Sequence, residues 1–172
     1  MHFQTIDFST VGGGLGRMME RFVDSGTLTG DKDEDAFIAA SPTAAILGLL
    51  FDQRVRAEVA FTGAKRLHDR LGHLDLAIIA DMNEEALRVT FAESPAVHRF
   101  SNKMADTTRK VARFLVDNYD GKPEGLWNDG AAIEVIERRI KAMPGFGAGK
   151  AAKIKYVLHY FGFRDFSGEE AA

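Results

Sequence analysis

The densest chemical signal in the chain is Met143-Pro-Gly-Phe-Gly-Ala-Gly-Lys-Ala-Ala152. Pro144 stops one helical pattern, Gly145 and Gly147 permit a tight reversal, and a second helical pattern starts directly afterwards. Such a hairpin turns several backbone N–H groups and a helix N-terminus toward one spot, which suits an anion. Every charged side chain from 138 to 164 is basic: Arg138, Arg139, Lys141, Lys150, Lys153, Lys155 and Arg164. Basic residues around a glycine hairpin, in a chain of net charge −3, are the footprint of a grip on phosphate backbone. The plain alternative is a helical corner whose lysines are a solvated face.

Other candidate chemistry is thin. The run Val11-Gly-Gly-Gly-Leu-Gly16 lacks the Gly-Lys-Ser/Thr of a P-loop, and Arg17 stands where a dinucleotide fingerprint needs its last glycine. It reads as a flexible joint. His68 and His73 are separated by Gly72 and do not share a helix face, while His2, His98 and His159 are isolated, so no zinc set forms. Ser94 and Ser101 have no triad partners. Asp31-Lys-Asp-Glu-Asp35 lacks the spaced ligands of an EF-hand and reads as an acidic, solvated loop or helix start. The absence of cysteine excludes disulfides, thiolate metal sites and iron–sulfur clusters.

The elements that must position the hairpin are helical almost throughout. Leu15, Met18, Met19, Phe22 and Val23 keep helical spacing up to Ser25-Gly26. Ser41-Pro42 caps an almost wholly apolar helix over 44–51, which belongs at the centre of a core. An amphipathic helix over 54–70 turns Val55, Val59, Leu67 and Leu71 inward and closes at Gly72. Shorter helices follow over 74–80 and 84–91. A long one covers 101–119, with Met104, Val111, Phe114 and Leu115 inward, and helices over 131–143 and 148–161 flank the hairpin. The fold expected is all-α: a bundle or barrel of about seven to nine helices containing a helix-hairpin-helix motif. Its 172 residues form one domain, with residues 1–16 as an extended or flexible lead and 164–172 as a polar tail. No 18-residue apolar run or signal peptide is present, so a soluble, cytoplasmic protein without a membrane partner is expected.

The sequence Met-Pro-Gly-Phe-Gly-x-x-x-Ala resembles the Leu-Pro-Gly-Val-Gly-x-x-x-Ala hairpin of the helix-hairpin-helix DNA glycosylase superfamily. Upstream, Leu50-Phe-Asp-Gln-Arg-Val55 is similar to that family's apolar helix and Gln-containing turn. The whole, from Pro42 to Phe163, most resembles an uncharacterised bacterial branch of these base-excision proteins. The resemblance implies duplex DNA, damaged or distorted, as the partner, with no obligate protein partner. It implies a phosphate held by the amides of Gly145, Gly147 and Gly149 with Lys150 and Lys153. No cofactor is required; a monovalent cation on the carbonyls of Lys141, Met143 and Phe146 accompanies the phosphate in that family. Gln53 matches the residue beside the gap left by a flipped-out base. Trp127, Phe100 or Tyr156 lines the base pocket, unless each is simply core.

The family's catalytic groups match less well. Its Schiff-base lysine falls on Gly149, and Lys150 comes one residue later, about 100° around the helix, turned away from the cleft. Lyase activity is therefore not expected. Its aspartate has no counterpart among Asp165, Glu169 and Glu170. Asp52 is the substitute: a partly desolvated carboxylate before Gln53 acts as base or electrostatic stabiliser, or else pairs with Arg54 or Arg56, or caps the next helix. Three functions follow: a monofunctional DNA N-glycosylase, a non-catalytic reader of distorted DNA, or a hairpin that packs on a protein.

Overall fold

The computed structural model describes residues 3–170, without the side chains of 169 and 170. His2 and the carboxylates of Glu169 and Glu170 thus lie outside what is described. The described residues are all-α, with no strand. The helices are α1 (Gly13–Ser25), α2 (Lys32–Ala39), α3 (Pro42–Phe51), α4 (Ala57–Leu71), α5 (Leu76–Asp81), α6 (Glu84–Ala92), α7 (Ser101–Tyr119), α8 (Ile133–Lys141), α9 (Ala148–Tyr160) and a last turn, α10 (Ser167–Glu170).

α3 is the axis of the molecule because nothing in it needs water. Ala44 through Phe51 are all buried, Ser41 Oγ accepts from the Ala44 N–H, and Pro42 sits in the first turn, where its missing N–H costs nothing. α4 packs on α3 and buries a stripe of small residues, Ala57, Ala60, Gly63 and Ala64, of which Ala57 meets Gly14 of α1 and Gly63 the Val97 carbonyl. A Cβ at Gly48 would stand 2.1 Å from the Phe61 ring, so glycine is what lets that ring lie on the α3 backbone. α9 also packs against α3 and pairs with α8, while α5 and α6 pack on α7.

Several expectations need correction. Val23 of α1 and Val59 of α4 are 57% and 40% exposed; on α4 the buried face is made by small residues, Phe61 and Leu67 rather than by the β-branched residue. The acidic 31–35 run is a helix start, as one of its two readings has it, with Asp31 as the N-cap of α2, but it is not solvated throughout. Asp35 in that run is buried and accepts from Leu28 N, Thr29 N and the hydroxyls of Thr27 and Thr29. The glycine run opens α1 rather than standing as a joint. The lead is tied down, since Tyr160 Oη donates to the Ile6 carbonyl at 2.7 Å and His159 bonds the Gln4 carbonyl. In the expected polar tail, Phe166 is buried.

No single helix among the described residues is long and apolar enough to cross a membrane. α2 and α3 pass that test only as a pair bent by 112°.

Candidate nucleic-acid interface

The hairpin is set by packing on both sides. Met143 and Phe146 are buried anchors, and Gly145 between them turns with φ +81°. A Cβ at Gly145 would stand 2.6 Å from Thr107 Cγ2 and 2.9 Å from Leu50 Cδ1, so the reversal is pressed against α7 and α3. Gly147 is the N-cap of α9 and supplies no side-chain acceptor. Among the described residues, the N–H groups of Gly145, Gly147 and Gly149 have no hydrogen-bond partner. A Cβ at Gly147 or Gly149 would point into open space. The start of α9 therefore presents unpaired donors and a positive dipole end to the outside.

The far end of α3 lies against the same helix. Its last carbonyls have no partner within the helix, and two side chains from elsewhere take them. Lys150 Nζ donates to the Leu50 carbonyl at 2.6 Å. His98 bonds the Phe51 carbonyl through Nε2 at 2.9 Å, and its Nδ1 accepts from the Phe100 N–H. That second bond fixes the tautomer with the proton on Nε2. Asp52 follows as the C-cap of α3. Its carboxylate, with a side chain 9% exposed, pairs with Lys153 Nζ at 3.2 Å. Asp52 pairs with neither Arg54 nor Arg56 and does not cap α4, whose N-cap is Arg56; Arg56 faces Glu58.

Electrostatics follow from this crowding. Burial pushes the Lys150 ammonium down to about 8, with Lys153 and Lys103 adding to the fall and Asp52 opposing it. Burial likewise lowers His98, helped by Lys150 and Arg99 and opposed by its bond to Phe51. The one-residue shift places Lys150 away from the cleft in the sequence reading. Instead its stem runs along the end of α3 and its amine lies within reach of the carboxylate's field, because an orphan helix carbonyl draws it there.

The basic stretch divides in two. Arg139 makes a bidentate pair with Asp129 and bonds the Leu126 carbonyl. Arg164 bonds the Trp127 carbonyl and stacks on Phe166. Both hold the loop around the buried Trp127, whereas Arg138 and Lys141 are exposed and Lys150 and Lys153 are engaged at the end of α3. Phe100 and Tyr156 are partly buried, each beside a cation, Arg99 and Lys155 respectively. Gln53 is partly exposed, and its N–H donates to the Phe51 carbonyl at 2.7 Å. Asp165 is spent on Ser167, at the other end of α9.

For a cation, the Met143 carbonyl already accepts the Phe146 N–H at 3.3 Å, whereas those of Lys141 and Phe146 receive no backbone N–H among the described residues. Carbonyl oxygens with free lone pairs fit a hard monovalent ion. No group of three or more His, Cys, Asp or Glu side chains there suits a metal ion. A cavity of about 560 Å³ opens between α2 and the C-terminal end of α9, lined in part by Leu28, Ala36, Tyr160 and Phe161. Its Tyr160 wall is about 15 Å along α9 from Lys150. Comparison with known proteins finds no matching family model, curated protein or solved structure.

Proposed function

We propose that this protein binds duplex DNA through the α8–α9 hairpin and acts on a damaged base as a DNA N-glycosylase, with Asp52 as the working carboxylate. The supporting observation is that the unpaired amides of Gly145, Gly147 and Gly149 open the same helix whose Lys150 and Lys153 reach the end of α3 and Asp52. A phosphate on the amides would bring the neighbouring sugar toward that carboxylate. A monovalent ion held by the Lys141, Met143 and Phe146 carbonyls would add positive charge beneath the phosphate. Asp52 then stabilises positive charge on the sugar as its bond to the base breaks. Water adds at the sugar carbon, and its proton leaves with the base.

One observation favours the non-catalytic reading of the same interface: Asp52 is already neutralised by Lys153, and Lys150 is occupied by Leu50. Anisotropy titration of an intact duplex and one carrying a stable abasic analogue, at two salt concentrations, tests both readings. Preference for the abasic duplex with steep salt dependence supports a base-flipping protein, and Gly147→Glu abolishes it while the domain stays folded. Release of free base that disappears in Asp52→Asn, with affinity kept, supports catalysis. A borohydride-trapped adduct lost in Lys150→Met would replace hydrolysis by lyase chemistry. Absence of salt-sensitive binding overturns the DNA reading.

A further inference from the structure

We infer that the phosphate-binding face continues past the hairpin, across the turn after α3, and onto the first turns of α4 and α1, where Arg54, Arg56 and Arg17 contact the backbone of the bound duplex. The inference rests on the DNA-binding reading for the identity of the polyanion. It adds a second stretch of contact that includes the glycine-rich start of α1.

Contiguity comes from a chain of contacts. Lys150 and Lys153 join the start of α9 to the end of α3. Arg99 Nη1 bonds the Arg54 carbonyl at 3.3 Å, bringing the loop before α7 onto the turn after α3. α4 begins at Ala57, directly after Arg56. A Cβ at Gly14 would stand 2.8 Å from Ala57 N, so the first turn of α1 lies on the first turn of α4. Arg21 of α1 reaches Glu58 of α4 at 3.6 Å, and Arg17 sits one turn earlier on the same face of α1, toward its N-terminus.

Charge along this path is one-sided. Arg17, Arg54, Arg99 and Lys103 are exposed and, among the described residues, form no ion pair. The carboxylates along it are Asp52, paired with Lys153, and Glu58, shared between Arg21 and Arg56. Glu20, three residues beyond Arg17 on α1, marks the edge. The N-caps of α1 and α4 supply no side-chain acceptor, which leaves backbone N–H groups at both helix starts without a side-chain partner. In a chain of net charge −3, unpaired cations gathered along one path fit a polyanion rather than a neutral partner.

The experiment measures the slope of log affinity against log salt for a short duplex with an abasic analogue. It compares wild type, Arg17→Gln/Arg54→Gln, and Lys122→Gln, a control at the opposite end of α7 from Lys103. Each phosphate contact removed makes the slope shallower by about 1, so the double variant is expected to lose about 2 and the control nothing. In wild type, the bound duplex is expected to protect Arg17 and Arg54 from an arginine-modifying dicarbonyl, a readout that needs no variant. An unchanged slope in a folded double variant, or equal labelling with and without duplex, overturns the inference while Gly147→Glu still reports on the hairpin. A wild type without salt-dependent binding overturns the DNA reading and this inference together.

Discussion

Lys153 Nζ lies 3.2 Å from Asp52 Oδ2 and fastens the hairpin helix to the end of the central helix. The two partners are unequal, since the Asp52 side chain is 9% exposed and that of Lys153 33%. Removing the lysine strands a poorly hydrated carboxylate, whereas removing the carboxylate frees an amine that can return to water. Lys153→Met is therefore expected to cost about 1–2 kcal/mol and Asp52→Asn less, with the double variant falling short of their sum. Urea midpoints of the four proteins check this, and additive costs would mean that the pair contributes nothing.

Lys150 is expected to titrate near 8, well below an ordinary lysine. Since its unfolded value is higher, the unfolded chain holds the proton between the two, and stability gained at this site appears as pH rises through that window. Asp52→Asn should move the midpoint lower by removing the opposing charge, and Lys153→Met should move it higher by removing a like charge. Carbon-detected NMR of the lysine side chains reads both shifts. Midpoints that stay put in both variants would detach Lys150 from Asp52 and Lys153.

The helices were legible in sequence where periodicity and punctuation agreed: Ser41-Pro42 before 44–51, Gly72 after α4, and Pro144 with Gly145 at the hairpin. α2 was half-legible, because a run of acids looks solvated until Thr27, Leu28 and Thr29 fold back to bind Asp35. At the site, Asp52 was legible as a carboxylate ending an apolar helix, but its partner was not. Lys153 lies 101 residues away, and nothing local encodes that separation. His98 carried no signal at all, because one of its partners is a backbone carbonyl 47 residues distant, and carbonyls have no residue type. The small-residue face of α4 was missed because hydrophobic patterning favours large side chains, whereas close approach to neighbouring backbone, as at Ala57 against Gly14 and Gly63 against Val97, favours small ones.

The three hairpin glycines should separate by role. Gly145→Ala puts a methyl into Thr107 and Leu50 at positive φ and is expected to cost about 2–4 kcal/mol. Gly149→Ala meets open space in the first turn of α9, so stability should hold or rise by up to about 1 kcal/mol. Its methyl nevertheless projects where a phosphate would approach, and duplex affinity should fall. Thermal melts with parallel anisotropy titrations check the contrast. Full affinity in a stable Gly149→Ala would show that nothing approaches that face.

His98 should make the fold acid-sensitive before the carboxylates titrate. Its Nδ1 accepts the Phe100 N–H and its Nε2 serves the Phe51 carbonyl, so a second proton must break the bond to Phe100 at the start of α7. Burial holds the folded imidazole below its ordinary value, and the charges of Lys150 and Arg99 act in the same direction. The unfolded chain therefore takes up the proton first, and stability falls as pH drops from about 7 through the ordinary histidine range toward the lowered folded value. Asp106 and Asp129, held low by their arginines, add their losses only in stronger acid. His98→Gln keeps one donor and one acceptor but cannot gain a charge. It should cost about 1 kcal/mol at neutral pH from imperfect bonds and flatten the decline between about pH 7 and pH 5. Urea midpoints across that interval decide the matter: parallel slopes for the two proteins would assign the acid sensitivity to some other group and leave His98 as a packing residue.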